Sequence, residues 1–69
     1  MSKDQPTIGK TIRKYRHEKK MSQEALARAA DLSFPTIVKI ESGETPNPSV
    51  DTARKIAAAL GVSVDELLK

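Results

Sequence analysis

Helix-capping residues recur at short intervals along this chain of 69 residues and divide it into segments of at most about four helical turns. Serine accepts hydrogen bonds from the free N–H groups at a helix start, and glycine adopts the left-handed conformation that ends many helices. The serines at such positions are Ser22, Ser33, Ser49 and Ser63, and the glycines are Gly43 and Gly61. Between them, apolar residues recur every three or four positions, and no stretch alternates apolar and polar residues over the length of a strand. The chain is therefore predicted to be all-α.

The caps and the apolar spacing together predict five helices in a single domain of residues 6–69. With their capping serines, the helices cover residues 6–19, 22–30, 33–42, 49–60 and 63–68, and residues 1–5 form a flexible N-terminal tail. Pro6 suits the first turn of helix one, and Glu66 completes a capping box with Ser63. The predicted core consists of Ile8, Ile12, Tyr15, Leu26, Ala27, Ala30, Leu32, Ile37, Ile40, Val50, Ala53, Ile56, Ala57 and Leu60.

Composition excludes several classes of function. The chain has no cysteine and one histidine, so we expect no disulfide, no catalytic triad, no metal site and no cofactor. No apolar run approaches the roughly 20 residues of a membrane span, and no signal peptide opens the chain. A domain this short buries only about 60% of its unfolded surface and cannot easily enclose an enzyme-sized pocket. These features predict a soluble, intracellular binding module, not an enzyme.

Positive charge is concentrated toward the N-terminus. Residues 1–20 carry seven lysines and arginines against two carboxylates, a net charge of +5, whereas residues 21–69 carry five against seven, a net charge of −2. A basic stretch on a nearly neutral body suits an anionic partner such as nucleic acid, although a solvated helix face has the same composition. Lys10, Arg13 and Lys14 are therefore candidates either for phosphate contacts or for solvation of helix one.

The segment SQEALARAADLSFPTIVKIESGETPNPS, residues 22–49, closely resembles the helix-turn-helix of the Cro and phage-repressor-like (XRE) family. The resemblance extends to basic helix one and to DTARKIAAALGVSVDELL, residues 51–68. It implies a compact five-helix lambda-repressor-like DNA-binding domain in which helices two and three form the helix-turn-helix. The family favours glycine between these helices, and this chain has Asp31, which tolerates the left-handed conformation better than most residues.

The resemblance implies that helix three lies in the DNA major groove and that helix two crosses the phosphate backbone. Carried over position by position, the base-facing residues are Phe34, Pro35, Val38 and Lys39. The residues expected at the groove edge or on phosphates are Ser22, Gln23, Ser33, Thr36 and Ser42, together with Lys10, Arg13 and Lys14 of helix one. Lys39 is the strong hydrogen-bond donor of the base-facing set and is a candidate for contact with guanine.

Two of the base-facing residues depart from the family pattern. Family members usually carry Gln, Arg, Ser or Asn at the positions of Phe34 and Pro35. Phe34, Pro35 and Val38 cannot read bases by side-chain hydrogen bonds, but they can touch thymine methyl groups. Sequence preference is then expected to depend on methyl contacts and DNA deformability. The alternative is that Phe34 folds back onto the core and contacts no base.

The resemblance also implies a partly buried ion pair between Arg16 and Glu41, which would join helix one to helix three. A bidentate arginine offsets the cost of removing a carboxylate from water. The alternative is that the two residues are ordinary surface charges.

A dimer interface is expected at the C-terminal end of the chain, because no separate dimerisation domain is visible and one small domain makes few DNA contacts. The candidate interface residues are Val62, Val64, Leu67 and Leu68. The alternative is that these side chains only complete the core.

These features predict a sequence-specific regulator of transcription that binds double-stranded DNA, most simply a bacterial or phage repressor. It would bind an inverted-repeat operator as a homodimer, in the cytoplasm on the nucleoid. No domain for a small-molecule effector is visible, so none is expected. The alternative function is a protein-interaction module such as an antitoxin or adaptor subunit, suggested by the apolar Phe34-Pro35 pair.

Overall fold

The computed structural model describes residues 8–68, and this range contains five helices and no strand. The helices are α1 (Ile8–Glu18), α2 (Gln23–Ala29), α3 (Phe34–Ser42), α4 (Val50–Leu60) and α5 (Val64–Leu68). The predicted all-α, five-helix fold is confirmed. The predicted N-terminal tail and the proposed position of Pro6 lie outside the described residues. None of these five helices is long and apolar enough to cross a membrane.

Serine caps begin the helices where the sequence predicts them. The backbone N–H groups of Ala25, Thr36, Thr52 and Glu66 donate to the Oγ atoms of Ser22, Ser33, Ser49 and Ser63, at 3.0, 3.3, 3.1 and 3.1 Å. The Ser63 N–H in turn donates to Glu66 Oε1 at 2.9 Å, which completes the predicted capping box. The starts of α2, α3, α4 and α5 therefore follow from local sequence.

Left-handed residues end the helices. Gly43 and Gly61 have φ values of 89° and 72°, and Asp31, in the position where the family favours glycine, has a φ of 59°. Lys20 was not predicted to be left-handed, but its φ is 56°. After Lys20, the Met21 N–H donates to the Arg16 carbonyl oxygen at 3.0 Å, so this turn reverses the chain tightly between α1 and α2.

Side chains from all five helices meet in one core. The fully or almost fully buried apolar residues are Ile12, Leu26, Ala27, Ala30, Ile37, Ile40, Ala53, Ile56, Ala57, Leu60 and Leu67. Three further residues of the predicted core are only half-buried and pack against its edge: Ile8, Tyr15 and Leu32.

Two predictions about burial are wrong. Val50 was assigned to the buried stripe of α4 but is 66% exposed, because it is the first residue of the helix and the stripe reaches the core only at Ala53. Leu67 was assigned to a dimer surface but is completely buried within the monomer. Leu67 therefore belongs to the core of the monomer.

Gly9 marks the closest approach of α1 to α3. A Cβ atom on Gly9 would overlap the carbonyl oxygen of Ile40, and it would lie 3.0 Å from the Cα of Glu41. These are backbone atoms, which cannot move aside as the end of a side chain can. The absence of a side chain at Gly9 thus allows the C-terminal half of α3 to rest directly on α1.

Candidate nucleic-acid interface

The outer face of α3 carries the predicted base-facing residues. Ile37 and Ile40 are buried and hold the inner face of the helix against the core. On the outer side, Pro35 and Lys39 are exposed and Val38 is half-buried. The Phe34 side chain is 45% exposed, so it does not fold back onto the core. The structure thus brings all four residues to one side of a helix whose N-terminal end faces solvent.

Hydroxyl groups at both ends of α3 are engaged in local hydrogen bonds. The Ser33 and Thr36 hydroxyls lie 2.7 Å apart, and Ser33 Oγ also accepts the Thr36 N–H. The Ser42 hydroxyl donates to the Lys39 carbonyl oxygen at 3.0 Å and accepts the Glu44 N–H at 3.3 Å. These hydroxyls therefore stabilise the ends of the helix, whatever further contacts they make.

Arg16 and Glu41 form the ion pair that the sequence predicts. The Arg16 Nε and Nη2 atoms donate to the two carboxylate oxygens of Glu41 at 2.7 and 3.0 Å. The two side chains are only 11% and 4% exposed. This bidentate geometry joins α1 to the C-terminal half of α3 and supplies the hydrogen bonds that a buried charge needs.

Two contacts of this ion pair were not predicted. Arg16 Nη1 donates to the Met21 carbonyl oxygen at 2.8 Å, and Gln23 Nε2 donates to Glu41 Oε1 at 3.1 Å. Glu41 is therefore tied to α1 and to the first residue of α2. The spacing of residues in the motif could not predict either contact, because both depend on how the turn at Lys20 places Met21 and Gln23.

A polar depression of about 270 Å³ adjoins the outer face of α3. It is lined by Arg13, Arg16, Gln23, Val38, Glu41 and Ser42. Because Arg16 and Glu41 neutralise each other, Arg13 gives the depression a net positive charge. Three of the predicted phosphate-contacting residues, Arg13, Gln23 and Ser42, thus lie together beside Val38. One N–H of the Gln23 amide is used by Glu41, which leaves its second N–H as a donor.

The remaining predicted phosphate contacts lie outside this depression. Ser22 is exposed and caps α2. Lys10 and Lys14 are exposed on α1. Among residues 8–68, no group of three or more His, Cys, Asp or Glu side chains is arranged to hold a metal ion.

A second surface feature, an apolar groove of about 370 Å³, lies at the N-terminal end of α4. It is lined by Ile8, Thr11, Pro46, Asn47, Pro48, Val50, Ala53, Val64, Leu67 and Leu68. Of the predicted dimer residues, Leu68 is 64% exposed, whereas Val62 and Val64 are half-buried against the core. Val50 was not predicted to be part of this surface.

The sequence pattern of the helix-turn-helix family matches residues 12–67. The chain therefore belongs to this family, and α2 and α3 are its helix-turn-helix.

The curated relatives include regulators from phage and bacteria. The chain is 37% identical over 62 residues to the immunity repressor protein of Bacillus phage phi105, a match that covers 90% of this chain and 42% of the relative. It is 39% identical over 61 residues to the HTH-type transcriptional regulator SinR of Bacillus subtilis (strain 168), covering 88% of this chain and 55% of the relative. The chain thus spans about half the length of these relatives.

Solved structures confirm the lambda-repressor-like fold. The structure of SinR in complex with DNA matches with a TM-score of 0.87 and 39% identity, covering 90% of this chain and 98% of that chain. The P22 c2 repressor in complex with a synthetic operator matches with a TM-score of 0.84 and 32% identity, covering 94% of this chain and 97% of that chain. The expected membership of the Cro and phage-repressor-like group is confirmed by these matches.

Proposed function

We propose that this protein is a sequence-specific regulator of transcription, most simply a repressor, that binds double-stranded DNA with α3 in the major groove. The observation that carries the proposal is the outer face of α3, where Phe34, Pro35, Val38 and Lys39 lie on one side of the helix and Val38 borders a positively charged depression. The DNA-bound structures of SinR and the P22 c2 repressor, which share the fold, support it. The protein would act in the cytoplasm on the nucleoid and would need no small-molecule effector.

The placement of positive charge supports a backbone contact on one side of α3. Arg13 lines the depression next to Val38, and the Gln23 amide reaches the same space from α2. A helix in the major groove has phosphates on both sides, so Arg13 and Gln23 would contact one strand while α3 faces the bases. Lys10 and Lys14 would extend the same contact along α1.

Selection of duplexes from a random pool tests the function. We expect enrichment of an inverted repeat, and affinity for the selected duplex should fall steeply as salt rises, because phosphate contacts release counterions. Failure to bind any duplex at low salt would contradict DNA binding. It would favour the protein-interaction alternative, for which the half-exposed Phe34 is the supporting observation.

We further propose that two copies bind the inverted repeat and meet through the apolar groove. Val50 and Leu68, which are 66% and 64% exposed, both line this groove, and burial of exposed aliphatic side chains favours association. The domain measures 36 × 24 × 23 Å. The distance between the centres of two copies in contact is therefore comparable with the distance of about 34 Å that separates successive half-sites on one face of DNA.

A charge placed in the groove tests the dimer. We expect the Leu68→Glu variant to remain folded and to sediment as a monomer at high micromolar concentration, where the wild type sediments as a dimer. Ala29→Glu is the matched control, because Ala29 is exposed on α2 and does not line the groove. A wild-type protein that is purely monomeric at that concentration would contradict the proposed interface.

A further inference from the structure

The N-terminal half of the outer face of α3 is an apolar edge, formed by Phe34, Pro35 and Val38. None of these side chains has a hydrogen-bond donor or acceptor. Phe34 and Pro35 occupy the first turn of α3 and are exposed, and Val38 lies one turn further along on the side of Phe34. The end of a recognition helix that enters the groove most deeply is thus apolar in this protein.

The hydroxyl groups beside the apolar edge are engaged in the cap of the helix. Ser33 and Thr36 are hydrogen-bonded to each other, and Ser33 Oγ accepts the Thr36 backbone N–H. Pro35 has no backbone N–H to offer. Both hydroxyls take part in the cap that begins α3, and one O–H of the pair remains available beside the apolar edge.

Only one charged side chain of α3 is available to contact DNA. In the described part of the helix the charged residues are Lys39 and Glu41, and Glu41 is held by Arg16 and Gln23. Lys39 lies one turn beyond Pro35, at the other margin of the outer face. A lysine there can donate to a base acceptor, typically the O6 and N7 atoms of guanine, or to a phosphate, and it is the charged donor of this face.

From this arrangement we propose that the apolar edge recognises the C5-methyl groups of thymines in the major groove. The inference rests on the proposed DNA-binding function and deepens it. Among the groups that base pairs expose in this groove, the thymine methyl is the apolar one, whereas the others are hydrogen-bond donors and acceptors. A donor or acceptor covered by Phe34 would lose its water without gaining a partner, which disfavours the other bases at the same position.

Replacing thymine by deoxyuridine tests the proposal, because this change removes only the methyl group. The full chain is titrated with the duplex enriched from the random pool, and with duplexes carrying deoxyuridine at one thymine at a time. We expect about fourfold weaker binding at one or two positions in each half-site, the effect of losing one buried methyl-sized group. At such a position, 5-methylcytosine should bind about fourfold more tightly than cytosine, by the same contact.

Variants of the apolar edge show whether the effect comes from the protein. In Phe34→Ser and Pro35→Ser, the ratio of thymine to deoxyuridine affinity should fall toward one at the sensitive position. Lys39→Ala is the matched control on the same helix face, and it should bind more weakly while keeping the wild-type ratio. Thermal unfolding establishes that each variant is folded before its affinity is compared.

The outcomes separate this proposal from the function on which it rests. Salt-dependent, sequence-specific binding with a thymine-to-deoxyuridine ratio near one at every position would overturn methyl recognition and leave DNA binding intact. A thymine-to-deoxyuridine ratio that is unchanged in both serine variants would also overturn methyl recognition, because the preference would then arise from the DNA and not from contacts with these side chains. Absence of duplex binding at low salt would instead overturn the proposed function.

Discussion

We expect the Glu41→Leu variant to lose about 3 kcal/mol of unfolding free energy, because it leaves the Arg16 guanidinium buried without its carboxylate. The two side chains are only 11% and 4% exposed, so water replaces the lost partner poorly. A domain of this size has only a few kcal/mol of net stability, so much of the protein should be unfolded at growth temperature. Urea unfolding followed by circular dichroism measures the change.

The double variant Arg16→Met/Glu41→Leu distinguishes the cost of an unpaired charge from the value of the pair. With both charges gone, apolar side chains fill the same space, and most of the lost stability should return. Asp51→Asn is the matched control, because Asp51 pairs with Lys55 at 3.7 Å and is 78% exposed, and its loss should cost less than about 1 kcal/mol. A double variant no more stable than Glu41→Leu would contradict this explanation.

The Gly9→Ala variant should also be strongly destabilised, by about 2 kcal/mol. In an unconstrained helix the change would stabilise the protein by up to about 1 kcal/mol, because alanine is the better helix former. Here the new methyl group overlaps the Ile40 carbonyl oxygen, and forcing backbones apart in a packed core costs about 3 kcal/mol. The steric cost exceeds the helix preference, so the sign is reversed.

Lys14→Ala is the control for Gly9→Ala, because it introduces the same residue into the same helix at an exposed position. Its unfolding free energy should stay within about 0.5 kcal/mol of the wild type. Chemical unfolding of the two variants side by side makes the comparison. Equal stability of Gly9→Ala and the wild type would show that α1 and α3 separate more easily than their close approach implies.

The candidate interface was predicted less completely than the helices. The Arg16–Glu41 pair and the outward position of Lys39 follow from resemblance to a family whose fold is shared. The involvement of Gln23 with Glu41 could not be predicted in the same way, because it depends on where the turn at Lys20 places the start of α2. Whether Phe34 lies on the core or in solvent was open until its exposure was known.

The sequence alone determined where α2, α3, α4 and α5 begin and where α3 and α4 end, because caps are interactions over three or four residues. Ser33 with Thr36, Ser63 with Glu66, and left-handed Gly43 are examples in which a few neighbouring residues contain all the required chemistry. The tertiary structure decided which apolar side chains are buried and which are exposed. Leu67 lies in the core and Val50 at the surface because burial depends on the neighbours that other helices supply, and local periodicity does not specify those neighbours.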